Sequence, residues 1–269
     1  MNRSPRHPDP RRRPGRARRR LLPSRLGVAA ALVTALATAA CGPSAPTGTS
    51  AQSSSGPEST SADGSHTEQT TYEITDTISQ LQLDGRAGRI TFTAADGPIS
   101  VTEAFTYSDD KPATSHDVSG GTLNLRDNGC QRERTINGRC EVAWDIRAPA
   151  GTNLQMITRA GGIAVTGAAG TMDVSTNAGG IRGRALVSKN VTAKSNAGGV
   201  DLQFQQPPDQ VQASTNAGGV DIQVPPGTSY AVTAKSNTGH PDVEVQQSGS
   251  STHKIDAKTN AGGIDITNS

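Results

Sequence analysis

Four aspartates recur at nearly constant spacing: Asp201, Asp221, Asp242 and Asp265, in steps of 20, 21 and 23 residues. Carboxylates in such a series could do two kinds of chemistry. They could hold a hard cation such as Ca²⁺, or they could act as an acid and a base on a polysaccharide chain. If successive repeats stack at the strand spacing of about 4.8 Å, neighbouring carboxylates repel by roughly 1 kcal/mol in water before salt screening. A cation would relieve that repulsion. So would ordinary solvation with help from Lys194, Lys235 and Lys258, and this solvated surface ladder is the favoured reading. No Ser/His/Asp or Cys/His arrangement is visible, and the five His (His7, His66, His116, His240, His253) are scattered. No catalytic residue, metal ligand or cofactor is expected.

The three cysteines carry a different chemistry. Cys41 follows an apolar run, Leu26 to Ala37, and the small residues Thr38-Ala39-Ala40. Small residues before a single Cys look like a lipobox, and the likeness implies cleavage before Cys41 and lipid attachment to its sulfur. The residue three before the Cys is Thr38 rather than the usual Leu. The alternative is ordinary secretion with cleavage after Ala39. With Cys41 lipidated, Cys130 and Cys140 remain as an even pair around a short polar loop with an Asn137-Gly138 turn signal. A disulfide there fits an oxidising location. A metal site is disfavoured, since no His neighbours the pair.

The elements that must position these residues are announced by a phrase. Thr-Asn-Ala-Gly-Gly occurs at 176–180, 215–219 and 259–263, with the near copy Ser195 to Gly199. Degenerate copies begin at Thr158 and Ser236. The Asn position falls at 159, 177, 196, 216, 237 and 260, in steps of 18 to 23 residues. Such a period marks a stack of coils. Five residues before the marker stand Leu154, Met172, Val191, Val211, Val232 and Ile255. Three before it stand Met156, Val174, Ala193, Ala213, Ala234 and Ala257. Polar residues lie between, so the period is two and each segment is a strand with one face inward. The glycines make a corner, where a missing Cβ permits unusual backbone angles. A second strand follows, led by Ile163, Ile181, Val200, Val220 and Ile264, and the aspartates fall on its outward parity. Pro241 and Gly183 interrupt the inward columns and predict distorted rungs. The Asn column reads as a hydrogen-bonded ladder, and the Thr/Ser column before it as an inward closure of the corner. An earlier corner is predicted at Arg86 to Phe92, with residues 94–140 an excursion from the stack.

Charge divides the chain. Residues 1–40 carry a net +9 and the remainder a net −7. The acidic remainder disfavours a nucleic-acid partner. Residues 1–40 read as a lipoprotein-type export signal, too short in its apolar run to span a membrane. Residues 41–70 are Ser, Thr, Gly and Pro, a disordered tether. Residues 71–269 are the folded domain, all-β and built of stacked 18–23-residue coils.

The Ala-Gly-Gly-Ile/Val-Asp corners, the returns Ala148-Pro149-Ala150-Gly151-Thr152 and Val224-Pro225-Pro226-Gly227-Thr228, and the leader together resemble the DUF4097 β-strand repeat family of bacterial envelope proteins. The resemblance covers 71–269. It implies a right-handed parallel β-solenoid and an envelope location. The family carries an adhesin label, and it brings no catalytic residues. The expected protein is therefore a non-enzymatic lipoprotein on the extracytoplasmic face of the cell membrane, an interaction module for an envelope protein or glycan. The alternatives are a polysaccharide-active parallel β-helix enzyme and a Ca²⁺-dependent assembly module. Because the last strand runs almost to Ser269, the C-terminal edge is expected to be open and capable of self-association.

Overall fold

The computed structural model describes residues 54–56, 59–60, 64–131 and 138–269, and their regular structure is entirely β-strand. The export signal, Cys41 and the turn expected at Asn137 lie outside the described residues.

Two short strands come first, β1 (Ser54–Ser55) and β2 (Ser59–Thr60). Next come β3 (His66–Ile74), β4 (Gln80–Ala87), β5 (Ile90–Ala94), β6 (Ile99–Tyr107), β7 (Ala113–Ser119), β8 (Thr122–Gly129) and β9 (Cys140–Ala148). The repeats contribute strands in pairs around each glycine corner. These are β10 (Asn153–Ala160) with β11 (Ile163–Thr166), β12 (Met172–Ala178) with β13 (Ile181–Leu186), and β14 (Asn190–Ala197) with β15 (Val200–Phe204). The last three pairs are β16 (Gln210–Ala217) with β17 (Val220–Val224), β18 (Ala231–Thr238) with β19 (Pro241–Val243), and β20 (Lys254–Ala261) with β21 (Ile264–Asn268).

The corner sends the two strands of each pair into different sheets. A nine-stranded sheet has the order β18-β20-β16-β14-β12-β10-β4-β8-β7. A twelve-stranded sheet has the path β1-β3-β6-β9-β5-β11-β13-β15-β17-β21-β19, with β2 paired to β3. Both sheets are mixed. Repeat strands pair in parallel and in register, Leu154 beside Met172 and Met172 beside Val191. Strands β3, β6 and β9 pair antiparallel, as do β7 and β8. The inward columns of the two sheets form one core, from Tyr72 and Leu123 towards one end to Ile255 and Ile266 near the other. Phe204 and Trp144, on the inward parity, are buried there. The early corner at Gly88 pairs in register with the corner at Gly161.

The first glycine of each corner is the demanding one. Gly198 has φ near 143°, and a Cβ there would lie 2.3 Å from the carbonyl oxygen of Gly179. Only Gly meets both conditions. The second glycine faces the following coil instead: a Cβ on Gly180 would lie 3.3 Å from the Gly199 carbonyl oxygen. Gly183 distorts its rung as expected, with a register shift before Leu186 and a positive φ at Ala185.

Two expectations are corrected. The coils do not stack in sequence order at the C-terminal end. The coil of β20 and β21 slots between the coils of β16–β17 and β18–β19. The last strand is therefore interior, and the edge belongs to β18 and β19. The physical reason is in the backbone. In each regular coil the residue after the corner donates its N–H to the next coil, as Val200 to Gly219, Val220 to Gly263 and Ile264 to His240. Pro241 holds this position in its own coil and has no N–H. His240 stands where other coils have the second glycine, a position where a Cβ comes within 3.2 to 3.4 Å of the next coil at Gly162, Gly180 and Gly199. The missing donor at Pro241 suits the end of the stack, and the more regular coil 254–268 takes the interior place.

Strand structure also reaches back into the stretch expected as tether, where β1 and β2 pair with β3. Strand β3 begins at His66, five residues before Thr71, and pairs along its length with β6. Thr67, Thr70 and Thr71 are β-branched and suit a strand, although their polarity resembles that of the Ser/Thr-rich stretch before them.

Candidate functional site

The outward column of the twelve-stranded sheet carries the predicted aspartates. Register places Asp201 beside Asp221, Asp221 beside Asp265, and Asp265 beside Asp242. All four share one face, in an order set by the inserted coil. Asp221, Asp242 and Asp265 are exposed, and Asp201 is half-buried.

The expected counter-charges are elsewhere. Lys194, Lys258 and Lys235 lie on the strand before the corner and so on the outer face of the other sheet, where Lys258 pairs with Asp256 at 2.7 Å. Arginines take their place. Arg184 grips Asp201 through two nitrogens, at 2.8 and 2.6 Å, and Arg182 stands 3.6 Å from the same carboxylate. A forked guanidinium contact of this kind is among the stronger exposed ion pairs. It neutralises the first aspartate and leaves the next two facing each other. Although Asp221 is exposed, partial desolvation against the neighbouring rungs raises its carboxyl above the usual range, and the neighbouring Asp265 and Asp201 raise it further.

The whole face is polarised. Its column continues from Asp201 back through Arg182, Ala164 and Thr91 to Asp145, with Arg184 and Arg147 on the flanking column. One end is rich in arginine and hydroxyls and the other in carboxylates. Among the described residues, no group of three or more His, Cys, Asp or Glu is arranged to hold a metal ion.

The Asn column forms a ladder. Asn196 donates to Asn177 at 3.0 Å, Asn216 donates to Asn196, Asn260 to Asn216 at 2.9 Å, and Asn237 to Asn260 at 2.8 Å. The Thr/Ser column closes the corners from inside. Thr176, Ser195, Thr215 and Thr259 donate to the carbonyls of Gly161, Gly179, Gly198 and Gly218 at 2.8 to 2.9 Å. These polar columns tie coil to coil. Cys130 and Cys140 are joined as a disulfide, linking the end of the β7–β8 hairpin to β9.

One polar cluster escapes the repeat pattern. Glu103 is buried and accepts hydrogen bonds from Tyr72 at 2.7 Å and Thr114 at 2.6 Å. His116 stacks on Tyr72 with ring centres 4.3 Å apart. Burial, then the hydrogen bond and charge of Glu103, push the Tyr72 phenol up, so it stays a protonated donor. The sequence does hold a signal for this cluster. Glu103 shares the parity of Val101 and Phe105, so a charge sits on an inward face.

The sequence profile of the Toastrack DUF4097 domain matches residues 78–267. No curated protein matches the chain. Among solved structures, the chain is similar to a "putative cell adhesion protein" from Clostridium sporogenes ATCC 15579, at 13% identity and a TM-score of 0.46, covering 76% of this chain and 100% of that one. It is also similar to a "putative adhesin" from Bacteroides fragilis NCTC 9343, at 15% identity and a TM-score of 0.44, covering 76% of this chain and 97% of that one. A "putative lipid binding protein" from Parabacteroides distasonis ATCC 8503 follows at 10% identity and a TM-score of 0.31, covering 75% and 96%.

Proposed function

The chain belongs to the Toastrack DUF4097 family, and we propose that it works as a non-enzymatic interaction module held on the extracytoplasmic face of the cell membrane by lipid on Cys41. The observation that carries the reading is the outer face of the twelve-stranded sheet. It presents charged side chains rung by rung, and Asp221, Asp242 and Asp265 point away from the core. A polarised, regularly spaced face suits recognition of an envelope protein or glycan better than catalysis, because its carboxylates stand in the open rather than in a water-excluding cleft. The right-handed solenoid belongs to the same proposal. It is supported by the parallel register of successive coils and by the strong right-handed bias of parallel crossovers. Residues 1–40 as export signal and the stretch between Cys41 and the first strands as tether complete the arrangement.

Two experiments test it. A photo-crosslinking residue in place of Gln223, beside Asp221, should capture a partner in intact cells. No capture above a control placed on the opposite sheet would sink the module reading. Cys41→Ala should release the protein into the medium, and unchanged membrane retention would remove the anchor.

A further inference from the structure

The polar end of the same face holds a cleft of about 460 Å³, formed where the antiparallel strands β3, β6 and β9 meet β5. Its origin is local. Ala104 and Ala143 are paired across β6 and β9, so two methyl groups form the floor where neighbouring rungs carry longer side chains. Gln69 stands on one side, paired with Ala104. Arg89 stands on the other, its carbonyl accepting from the Trp144 amide at 2.8 Å. Along the strands the walls continue with the hydroxyls of Thr91, Ser100 and Thr102, and with Arg147.

The charges of the cleft are uncommitted. Among the described residues, neither Arg89 nor Arg147 makes an ion pair, and neither does Asp145, which lies in the cleft with them. With two guanidiniums and one carboxylate, the cleft has a net positive charge. Its chemistry disfavours an apolar ligand, since most of its lining residues are polar or charged and Trp144, which also borders it, is buried with its ring on the inward face. It favours a ligand that is both anionic and rich in hydroxyls. A guanidinium meets a carboxylate or phosphate with two parallel hydrogen bonds. Thr91, Ser100 and Thr102 can donate to or accept from hydroxyls, the Gln69 amide can do both, and the Asp145 carboxylate accepts. The volume falls within the range of small-ligand sites.

We propose that this cleft binds an anionic saccharide, a short run of sugar units bearing carboxylate or phosphate, with Arg89 and Arg147 as the anion-recognising pair. The proposal rests on the interaction-module reading and names a ligand class for one end of its face. The test is calorimetry on the full-length chain with a galacturonate trisaccharide, a phosphorylated maltotriose and neutral maltotriose. At least one anionic sugar should bind and the neutral one should not, and the stronger of the two identifies the anion. Arg89→Ala with Arg147→Ala should weaken binding about tenfold or more, as expected for lost charge-assisted hydrogen bonds. Arg147→Lys should recover only part of the loss, because a lysine keeps the charge without the fork. Lys194→Ala with Lys235→Ala, on the outer face of the other sheet, should leave binding unchanged. Both arginines are exposed, so an unchanged melting temperature should certify the variants. No heat with either anionic sugar at millimolar concentration, or equal binding by the double arginine variant, overturns the proposal. If either occurs while the Gln223 crosslink still captures a partner, the cleft alone is wrong. If the capture fails too, the module reading falls with it.

Discussion

At the scale of single residues, this protein separates charges that report on its surface from charges that hold it together. Asp221 belongs to the first kind. Its carboxyl is raised by partial desolvation and by Asp265 and Asp201, while Arg182 and Arg184 are engaged with Asp201. A carboxyl that holds its proton more tightly when folded gives stability that is fully present below the unfolded carboxylate range. That stability is lost as pH rises through the folded value. Asp221→Asn should therefore raise the melting temperature at pH 7 and leave it nearly unchanged at pH 3, as read by a calorimetric pH series. Equal effects at both pH values would mean the carboxylates do not oppose each other. Glu103 belongs to the second kind. Glu103→Ala removes the acceptor of two hydroxyls inside the core and leaves a void, which should cost about 2 to 4 kcal/mol in a urea titration. Glu103→Gln should cost much less, since an amide can accept from Tyr72 and donate to Thr114.

At the scale of the element, the corner is the unit of construction. It combines a positive φ, a close approach to the preceding coil and a hydroxyl that donates to the preceding glycine carbonyl. Gly198→Ala violates the first two together, since φ is near 143° and the nearest carbonyl oxygen would lie 2.3 Å from the new Cβ. The expected loss is about 2 kcal/mol or more, at the upper end for backbone effects. The second-glycine variant Gly219→Ala, whose Cβ would lie 3.6 Å from the Gly263 carbonyl oxygen, should lose far less. Equal losses in a chemical denaturation series would mean that the two glycines share one role. The edge element makes the opposite argument. Pro241 withholds the N–H that every regular coil offers to its successor, which blunts an edge that could recruit another chain. Pro241→Val restores the donor and should produce concentration-dependent self-association, visible by light scattering. A variant that stays monodisperse at every concentration would show that His240 or the geometry of β18 suffices.

At the scale of the whole molecule, the periodicity of two and the 18-to-23-residue step carry the strand parity, the core columns, the corner and the Asn ladder, because each is a local property of one repeat. Coil order is not local. Every coil offers the same apolar columns to its neighbours, so periodicity cannot rank them; the information lies in His240 and Pro241, which spoil one side of one coil. The placement of the lysines had a similar signal in their position before the corner, which commits them to the other sheet. The cleft at Arg89 and Arg147 was not legible at all, since it depends on antiparallel pairing across the excursion that brings Ala104 beside Ala143. The inserted coil has a consequence for the stability of the whole stack. In a sequential stack, removing the last coil deletes one interface and leaves the rest nearly intact. Here, ending the chain at Gln247 removes β20 and β21, which pair on both sides. The coil of β18 and β19 then loses its only partner coil, and β16 and β17 are left with unpaired donors. Hydrogen exchange should show protection lost in β18 and β19 as well as weakened in β16 and β17, two coils beyond the cut. If β18 and β19 instead stay protected, they have closed onto β16 and β17, and the edge coil can stack in sequence order despite Pro241.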